Sequence, residues 1–283
     1  MIDYHMHLEN GPLTLEWLRR FWETAQKRGL SEIGISEHCH KFKEFYPMFA
    51  PLTQGTDSYP FMKEWIAKDF QLDLDHYVEL LLAARQEGIP VKIGLELDYL
   101  PGTEDFVQEL LQQYPFDYIL GSVHVIGKWG FDYAPEVWAD HDVNQAYREY
   151  YAVLASAVSS GLFDIAAHLD LIKVFGHQAD CLFEEAVSLV LELMAQNNLS
   201  LELSSAGLRK PVKEIYPAEW ILQRAAELDI PITFASDAHY PEDVGAAFDK
   251  LMSAAKRCGI SKYSVYSKRQ RNLKSINFEL PAP

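Results

Sequence analysis

The stretch Ile2-Asp3-Tyr4-His5-Met6-His7 decides how the fold is predicted. Apolar side chains alternate there with an acid and two imidazoles, a pattern typical of a strand. Because side chains alternate between the two faces of a strand, His5 and His7 point to the same side, with Asp3 beside them. Two neutral imidazoles that converge from one strand form half of a metal site. The alternative is a half-buried strand whose histidines bind only backbone or water.

Segments of similar character recur along the chain. Further strands are predicted because these segments are rich in Ile, Leu, Val and Ala, as in a buried parallel sheet, and helical patterns separate them. The predicted strands span residues 32–38, 91–98, 117–124, 163–170, 199–204 and 230–239. The repeated βα order has no linker and predicts one α/β domain over residues 1–283. Polar residues at the C-terminal ends of nearly all strands favour a closed or nearly closed barrel over an open sheet.

Composition and charge exclude several classes of protein. The chain has 283 residues, 48% of them hydrophobic and 23% charged, as expected of a soluble globular protein. The net charge of −16 opposes nonspecific binding to nucleic acid, whose phosphates need Lys and Arg. We expect no membrane span and no signal peptide. Three widely spaced cysteines, Cys39, Cys181 and Cys258, predict packing roles and a cytoplasmic location. Cys39 lies between two histidines, and a thiolate ligand there is the less favoured alternative.

An insertion at about residues 40–72 interrupts the βα rhythm. It is rich in aromatic residues and follows the end of a predicted strand. A long aromatic segment in that place predicts a lid over a pocket, because functional loops follow strand ends. A satellite hydrophobic cluster is an equally good interpretation.

Imidazole and carboxylate side chains stand at the same end of successive predicted strands. Burying so many titratable groups together is costly unless cations coordinate and neutralise them. The ordered set therefore predicts a site for several divalent metal ions. Its members are His5, His7, Glu37, His38, Glu96, His124, His168, Asp237 and His239.

This set resembles the PHP (polymerase and histidinol phosphatase) family over essentially the whole chain. The matching elements are Asp3-x-His5-x-His7, Glu37-His38, Glu96, His124, His168 and Asp237-x-His239. The segments 96–99, 121–124 and 204–209 are most similar to the histidinol-phosphate phosphatase branch. The resemblance implies a distorted (β/α)7 barrel with three divalent ions, zinc, iron or manganese, at the C-terminal ends of the strands.

Carried over by position, the resemblance also implies which residues hold each ion. The first ion takes His5, His7, Glu96 and Asp237; the second takes Glu96, His124 and His168; the third takes His38, His239 and a residue of the turn after the first motif. Many family members have a further histidine in that turn, where this chain has Leu13. Glu9 is the nearest substitute and completes the expected set.

The resemblance implies a metal-dependent phosphomonoesterase that converts L-histidinol phosphate and water to L-histidinol and phosphate in histidine biosynthesis. Clustered cations suit this chemistry because they bind phosphate oxygens, lower the pKa of a water and stabilise the leaving alkoxide. We predict in-line attack by a metal-bound hydroxide. Glu96 and Asp237 are the expected catalytic carboxylates. Asp170 is a candidate proton donor, with a structural role as its alternative.

Residues outside the ligand set are expected to bind the substrate, a small phosphorylated metabolite. Arg209, just after the sixth predicted strand, is placed to grip a phosphate oxygen, and Lys210 is a further candidate. His40 could reach the pocket from the insertion. Asp3 is expected to orient an imidazole.

Other functions remain open at this stage. Another PHP hydrolase would act on nucleotides, nucleic acid or phosphotyrosine, and the acidic charge argues against long nucleic acids. An amidohydrolase also begins with His-x-His on a barrel strand, but that superfamily usually lacks a bridging Glu such as Glu96. A non-enzymatic binding role is the fourth alternative. The sequence fixes no oligomeric state.

Overall fold

The computed structural model describes residues 1–55, 59–180 and 183–278. The strands are β1 (Ile2–Asp3), β2 (Glu32–Ile35), β3 (Val91–Asp98), β4 (Tyr118–Ser122), β5 (Val125–Ile126), β6 (Trp129–Gly130), β7 (Ile165–Ala166), β8 (Ser200–Ser204), β9 (Ile232–Ala235), β10 (Lys262–Ser267) and β11 (Gln270–Ser275). The α-helices are α1 (Leu15–Lys27), α2 (Tyr46–Phe49), α3 (Pro60–Lys68), α4 (Leu74–Gln86), α5 (Glu104–Leu111), α6 (Val143–Ser159), α7 (Glu184–Gln196), α8 (Glu219–Glu227) and α9 (Phe248–Arg257). Within the described residues, no helix is both long and apolar enough to cross a bilayer.

The central sheet closes on itself to form a barrel. Seven strands pair in parallel in the order β1-β2-β3-β4-β7-β8-β9. The chain beyond β1 then pairs with β9 and its continuation: the backbone N–H of Tyr4 donates to Phe234 O at 3.2 Å, and that of His7 donates to Ala238 O at 2.8 Å. The α/β prediction and the distorted seven-stranded barrel are thereby confirmed.

Two hairpins are added to the barrel. At the end of the chain, β10 pairs in parallel with β9 through Tyr263 and Ile232, and β11 returns antiparallel to it. The second hairpin is formed by β5 and β6, which pair antiparallel. This second hairpin follows β4 directly, so it lies at the end of the barrel where the polar residues collect.

The helices form where the apolar periodicity predicts them. The apolar periodicity of the sequence predicts helices over residues 74–86, 143–159 and 184–196, and α4, α6 and α7 have these bounds. In α1, the Thr14 side chain accepts the backbone N–H of Trp17 at the N-terminus, and Leu18, Phe21 and Ala25 form the buried stripe. Such amphipathic helices cover a barrel whose strands are buried on both faces.

Most strands are shorter than the sequence predicts, and two of them end where the backbone adopts a positive φ angle. The strand expected at residues 163–170 is regular only in β7, and the one expected at 230–239 is regular only in β9. His168 and Asp237 have positive φ angles, +22° and +52°, that a strand does not accommodate. The backbone therefore turns at the two positions where these side chains must face the barrel mouth.

The insertion folds between β2 and α4. It contains α2, α3 and short 3₁₀ turns, and its residues 56–58 lie outside the described residues. Phe42, Phe45 and Phe49 are fully buried and belong to the same hydrophobic core as the barrel residues, so these aromatic side chains do not form a separate satellite cluster. Among the cysteines, Cys39 and Cys258 are buried free thiols. The packing role predicted for Cys181 lies outside the described residues.

The barrel interior is filled by stacked tyrosines. The rings of Tyr4 and Tyr118 lie 4.8 Å apart and nearly parallel, and the Tyr118 hydroxyl donates to Tyr4 O at 2.6 Å. A Cβ on Gly34 or Gly94 would stand 2.1 Å or 2.4 Å from Tyr118 side-chain atoms. Glycine is therefore required on the two neighbouring strands so that the Tyr118 ring fits.

We expect G94A to destabilise the fold by about 1–3 kcal/mol, because the added methyl overpacks the Tyr118 ring. Chemical denaturation measures the loss. In the double variant with Y118L, the shorter side chain vacates the volume and should recover part of the stability. If the two substitutions instead destabilise additively, the steric explanation is wrong.

Candidate metal centre

Ligand-type side chains from distant parts of the chain meet at the C-terminal ends of the strands. Three groups have potential ligand atoms that all lie within 4.8 Å of one another. The groups are His5, His7 and Glu96; Glu96, His124 and His168; and His7, His38 and His239. The first two share Glu96, and the first and third share His7, so the groups form one continuous cluster.

Glu96, near the end of β3, is the centre of this cluster. Its carboxylate is buried, and the Ser122 hydroxyl donates to Oε1 at 2.5 Å. Imidazole nitrogens surround both oxygens: Oε2 lies 2.7 Å from His38 Nδ1, 3.1 Å from His5 Nε2 and 3.5 Å from His7 Nε2, and Oε1 lies 2.9 Å from His168 Nε2 and 3.5 Å from His124 Nε2.

Asp237 joins the cluster from the segment after β9. Its Oδ1 lies 3.2 Å from His7 Nε2 and 3.8 Å from His5 Nε2. The same oxygen is 3.5 Å from Nδ1 of His239. Asp237 therefore lies beside both imidazoles of the first group, where the family resemblance puts it, and also beside His239 of the third group.

The electrostatics show mutual compensation between buried acids and imidazoles. Burial alone raises the pKa of Glu96, but the imidazoles of His5 and His38 bring it well below its ordinary value. Burial and the neighbouring His7 lower the pKa of His38 to about 3, so that imidazole is neutral and one of its nitrogens has a lone pair to offer. A cluster with this mixture of charges is suited to cations.

Several buried polar atoms make no well-aligned hydrogen bond among the described residues. They include His5 Nε2, both ring nitrogens of His7, His38 Nδ1 and Glu96 Oε2. Leaving such atoms unsatisfied is costly in a folded protein. Imidazole nitrogens and carboxylate oxygens are the donors that zinc, iron and manganese accept, so the donor set fits divalent metal ions.

Carboxylates behind the cluster contact the far nitrogens of the imidazoles. Glu202 Oε2 lies 2.6 Å from His5 Nδ1, and Asp98 Oδ1 lies 2.6 Å from His124 Nδ1. Because a carboxylate accepts from Nδ1–H, these contacts leave Nε2 free to face the cluster. Sequence analysis missed the roles of Glu202 and Asp98. The available signal was a charged residue in the middle of an apolar, doubly buried strand, as in Leu201-Glu202-Leu203.

Glu37 supports the third group from a fully buried position. Its carboxylate accepts the backbone N–H of Leu8 at 2.8 Å and of His38 at 3.0 Å, and it lies 3.4 Å from His7 Nδ1. These bonds fix the chain on both sides of the imidazoles. In the Glu37-His38 pair, His38 is therefore the ligand-type residue, and Glu37 supports it from behind.

Glu9 lies at the edge of the cluster. Its Oε1 is 3.3 Å from Nε2 of His239, and its Oε2 is 2.9 Å from Nζ of Lys41. Lys41 also contacts Asp69 at 2.6 Å, so Glu9 links the cluster to the insertion. Glu9 is not a member of the three compact groups, and its role as a ligand stays a prediction.

Arg209 lies beside the backbone of the Asp237 segment. Its Nη2 donates to Ser236 O at 2.6 Å and to Asp237 O at 2.9 Å. Its Nη1 is buried and has no hydrogen-bonding partner among the described residues. The guanidinium is thus fixed next to the cluster with one nitrogen unused. The neighbouring Lys210 is exposed and within electrostatic reach of Asp132.

Asp170 does not join the cluster as expected for a proton donor. Its Oδ2 accepts the backbone N–H of Ala218 at 2.8 Å and lies 2.8 Å from Nζ of Lys173. The positive φ of His168 breaks the strand periodicity that would put Asp170 on the same face as His168. The donor role of Asp170 stays a prediction, and these contacts favour the structural alternative.

One further expectation, for Asp3, differs from the structure, and one, for Cys39, agrees with it. Asp3 does not orient an imidazole: it accepts the backbone N–H groups of Ser236 at 2.9 Å and Gly245 at 2.8 Å, and so anchors the segment after β9. Burial and the nearby Asp98 raise the pKa of the Cys39 thiol well above its ordinary value. That thiol stays protonated and packs beside Asp98, which favours packing over ligation.

A cavity of about 150 Å³ lies between the cluster and the insertion. The His40 ring stacks on His38 at 4.6 Å and meets the Trp65 ring edge-on at 4.8 Å. The cavity is lined by His38, His40, Met62, Trp65, Asp98, His124, Val125, Gly130, Asp132 and Tyr133. The insertion therefore covers one side of the cluster, and the β5–β6 region covers another.

Known proteins with similar sequences contain the same family domain or are named for one activity. A model of the PHP domain matches residues 3–206, and a model described as PHP-associated matches residues 221–253. The chain is similar to a protein named "Probable histidinol-phosphatase" of Deinococcus radiodurans, with 42% identity over 92% of this chain and 94% of that protein. It is also similar to the histidinol-phosphatase of Bacillus subtilis, with 29% identity over 90% of this chain and 98% of that protein.

A solved structure has the same fold. The histidinol phosphate phosphatase of Lactococcus lactis, complexed with zinc, L-histidinol and phosphate, superposes with a TM-score of 0.74 and 23% identity. The match covers 96% of this chain and 98% of that one. With the PHP model matching more than half of its length, and with the imidazoles and carboxylates of the motifs gathered at one barrel mouth, this chain belongs to the PHP family.

Proposed function

We propose that the protein is a histidinol-phosphatase that hydrolyses L-histidinol phosphate to L-histidinol and inorganic phosphate, a step of histidine biosynthesis in the cytoplasm. The observation that supports this most is the continuous cluster of three ligand groups around Glu96, in a chain 42% identical to a relative named for that activity. Phosphate ester hydrolysis is the reaction that such a cluster suits best.

We further propose three divalent ions, zinc, iron or manganese, held by the three groups. The first ion is assigned to His5, His7, Glu96 and Asp237. The second is assigned to Glu96, His124 and His168, and the third to His38 and His239 with Glu9 or His7. When bound, the ions supply Lewis-acid stabilisation of the phosphoryl oxygens and a water of lowered pKa.

The chain's own residues orient the substrate phosphate. Arg209 directs an unused guanidinium nitrogen near the Asp237 backbone, where a phosphate oxygen would accept from it. Lys210 adds positive charge at the rim. Glu96 and Asp237 hold in place the imidazoles that they contact.

The cavity under the insertion is proposed to receive the organic part of the substrate. Histidinol carries an ammonium group and an imidazole, and Asp132 and His40 offer polar partners to such groups. Trp65 and Tyr133 supply flat apolar walls on which an imidazole ring can stack. We propose that residues 40–72 serve as a lid within a single domain, because Met62 and Trp65 already form one wall of this cavity.

Metal binding should stabilise the fold. Protein stripped with a chelator should gain about 5–10 °C in melting temperature for each site that Zn²⁺ fills at about 100 times the dissociation constant of that site. Mass spectrometry of the metal content should find three ions per chain. E96Q should gain less in melting temperature, because the carboxylate charge that two ligand groups share is lost. The exposed control E87Q should gain as much as the parent protein. Equal stabilisation of E96Q and the parent protein would contradict the assigned ligands.

The substrate assignment is tested by phosphate release. L-histidinol phosphate should be hydrolysed with a kcat/KM about 100-fold or more above that of p-nitrophenyl phosphate, because only the first has the polar groups that the cavity recognises. Nucleotides and phosphotyrosine complete the panel. A higher kcat/KM for a nucleotide or for phosphotyrosine would contradict the substrate assignment and would indicate another branch of the family.

H124A should abolish turnover of L-histidinol phosphate. Retention of full turnover would contradict the role of the second ion group.

Arg209 is expected to bind the phosphate. R209A should lower kcat/KM by about 10–100-fold, the value of one charge-assisted hydrogen bond. R224A is the matched control, because Arg224 lies on the exposed face of α8 and pairs with Glu227. An unchanged kcat/KM in R209A would contradict the role of Arg209 in phosphate binding.

Asp132 is expected to recognise the positive charge of the substrate. D132N should raise KM for L-histidinol phosphate about tenfold, the cost of one weakened charged contact, and change KM for p-nitrophenyl phosphate little. D140N is the control, since Asp140 is exposed in the same loop. An equal rise in KM for both substrates in D132N would show that Asp132 does not recognise the organic part of L-histidinol phosphate.

A further inference from the structure

Glu202 connects two ligand groups of the metal centre. It is fully buried on β8, between β7 and β9. Its Oε2 lies 2.6 Å from Nδ1 of His5, and its Oε1 accepts the backbone N–H of His168 at 3.1 Å. His5 belongs to the first group and His168 to the second. The two oxygens of one carboxylate thus serve different groups.

The contact with His5 determines which ring nitrogen faces the cluster. A carboxylate can only accept, so Nδ1 of His5 must be the protonated nitrogen. In the neutral imidazole that would bind a cation, Nε2 then keeps its lone pair; it lies 3.1 Å from Oε2 of Glu96 without a well-aligned hydrogen bond. Loss of Glu202 would leave His5 free to exchange tautomers and to rotate about its side-chain bonds.

The contact with His168 determines a backbone conformation. His168 has a φ of +22°, which residues with a side chain rarely adopt. Such conformations persist only where the surroundings hold them. Glu202 holds the N–H of His168, and the resulting orientation places Nε2 of His168 2.9 Å from Oε1 of Glu96.

We propose that Glu202 is a positioning residue that couples the first and second ion sites, so that its loss weakens both. The proposal rests on the metal centre of the proposed function. Asp98 offers a matched comparison. It is also buried, and it contacts the ring of His124, a member of the second group only, at 2.6 Å.

The test compares E202Q with D98N at the level of individual ions. Glutamine has the shape of glutamate but carries no charge and has only one acceptor oxygen. One of the two partners, His5 or His168, therefore loses its acceptor, and the other keeps only an uncharged and weaker one. Crystals of each variant are equilibrated with Zn²⁺ at a buffered, limiting concentration. Anomalous diffraction at the zinc edge then gives the occupancy of each site, and metal analysis gives the total.

We expect E202Q to lose zinc affinity about 10–100-fold at both sites that share Glu96, as is typical for partners of ligating histidines. The site of His38 and His239 should stay occupied. D98N should lose occupancy at the site of His124 and His168 alone. Full occupancy of E202Q, or a loss confined to one of its two sites, would overturn the proposal.

Rescue by excess zinc separates positioning from misfolding. Occupancy and phosphatase activity of E202Q should recover as free Zn²⁺ rises about 100-fold, because mass action offsets a weakened site. Failure to recover would mean that the fold itself is damaged and would count against the proposal. If E202Q does not fold, E202D keeps the charge but withdraws it from both partners, and it is judged by the same occupancies.

The occupancies also keep this proposal apart from the substrate assignment. Zinc binding is measured without any phosphate ester. If the occupancies behave as expected but L-histidinol phosphate is not hydrolysed, the substrate assignment fails and the role of Glu202 stands.

Discussion

The buried carboxylate of Glu96 is the interaction on which the arrangement of this protein depends. Five imidazoles approach its two oxygens within 3.5 Å, and they come from four separate parts of the chain. A charge buried without partners would cost several kcal/mol. The surrounding imidazoles remove that cost and lower the pKa of Glu96, which keeps it ionised and available to cations. The ends of the barrel strands must therefore converge on this one residue.

Convergence requires departures from regular strands. His168 and Asp237 both adopt positive φ angles where their strands end. Asp3 fixes the segment that carries Asp237 by accepting two of its neighbours' N–H groups, and Glu202 holds the N–H of His168. The unusual backbone at the barrel mouth is thus held by acids that originate on regular strands. This arrangement places rigid elements behind the residues that must be positioned most accurately.

The molecule divides its tasks between the barrel and the elements added to it. The barrel supplies the imidazoles and carboxylates, and the stacked rings of Tyr4 and Tyr118 fill its interior below them. The insertion and the β5–β6 region enclose the cavity beside the cluster with aromatic and acidic side chains. Such loops vary in sequence more readily than the barrel, so substrate preference can change while the metal centre is kept.

The sequence by itself determined the barrel class, the helices and the set of ligand-type residues. Periodicity is local, and it is strong for α4, α6 and α7, whose bounds were predicted correctly. Only the tertiary structure decided which acids support which imidazoles. Asp170 follows His168 by two residues, and strand periodicity would put both on one face, but the backbone turn at His168 sends Asp170 to Lys173. Glu202 meets His5 across 197 residues of chain, and such pairings depend on how the strands close, which no local pattern encodes.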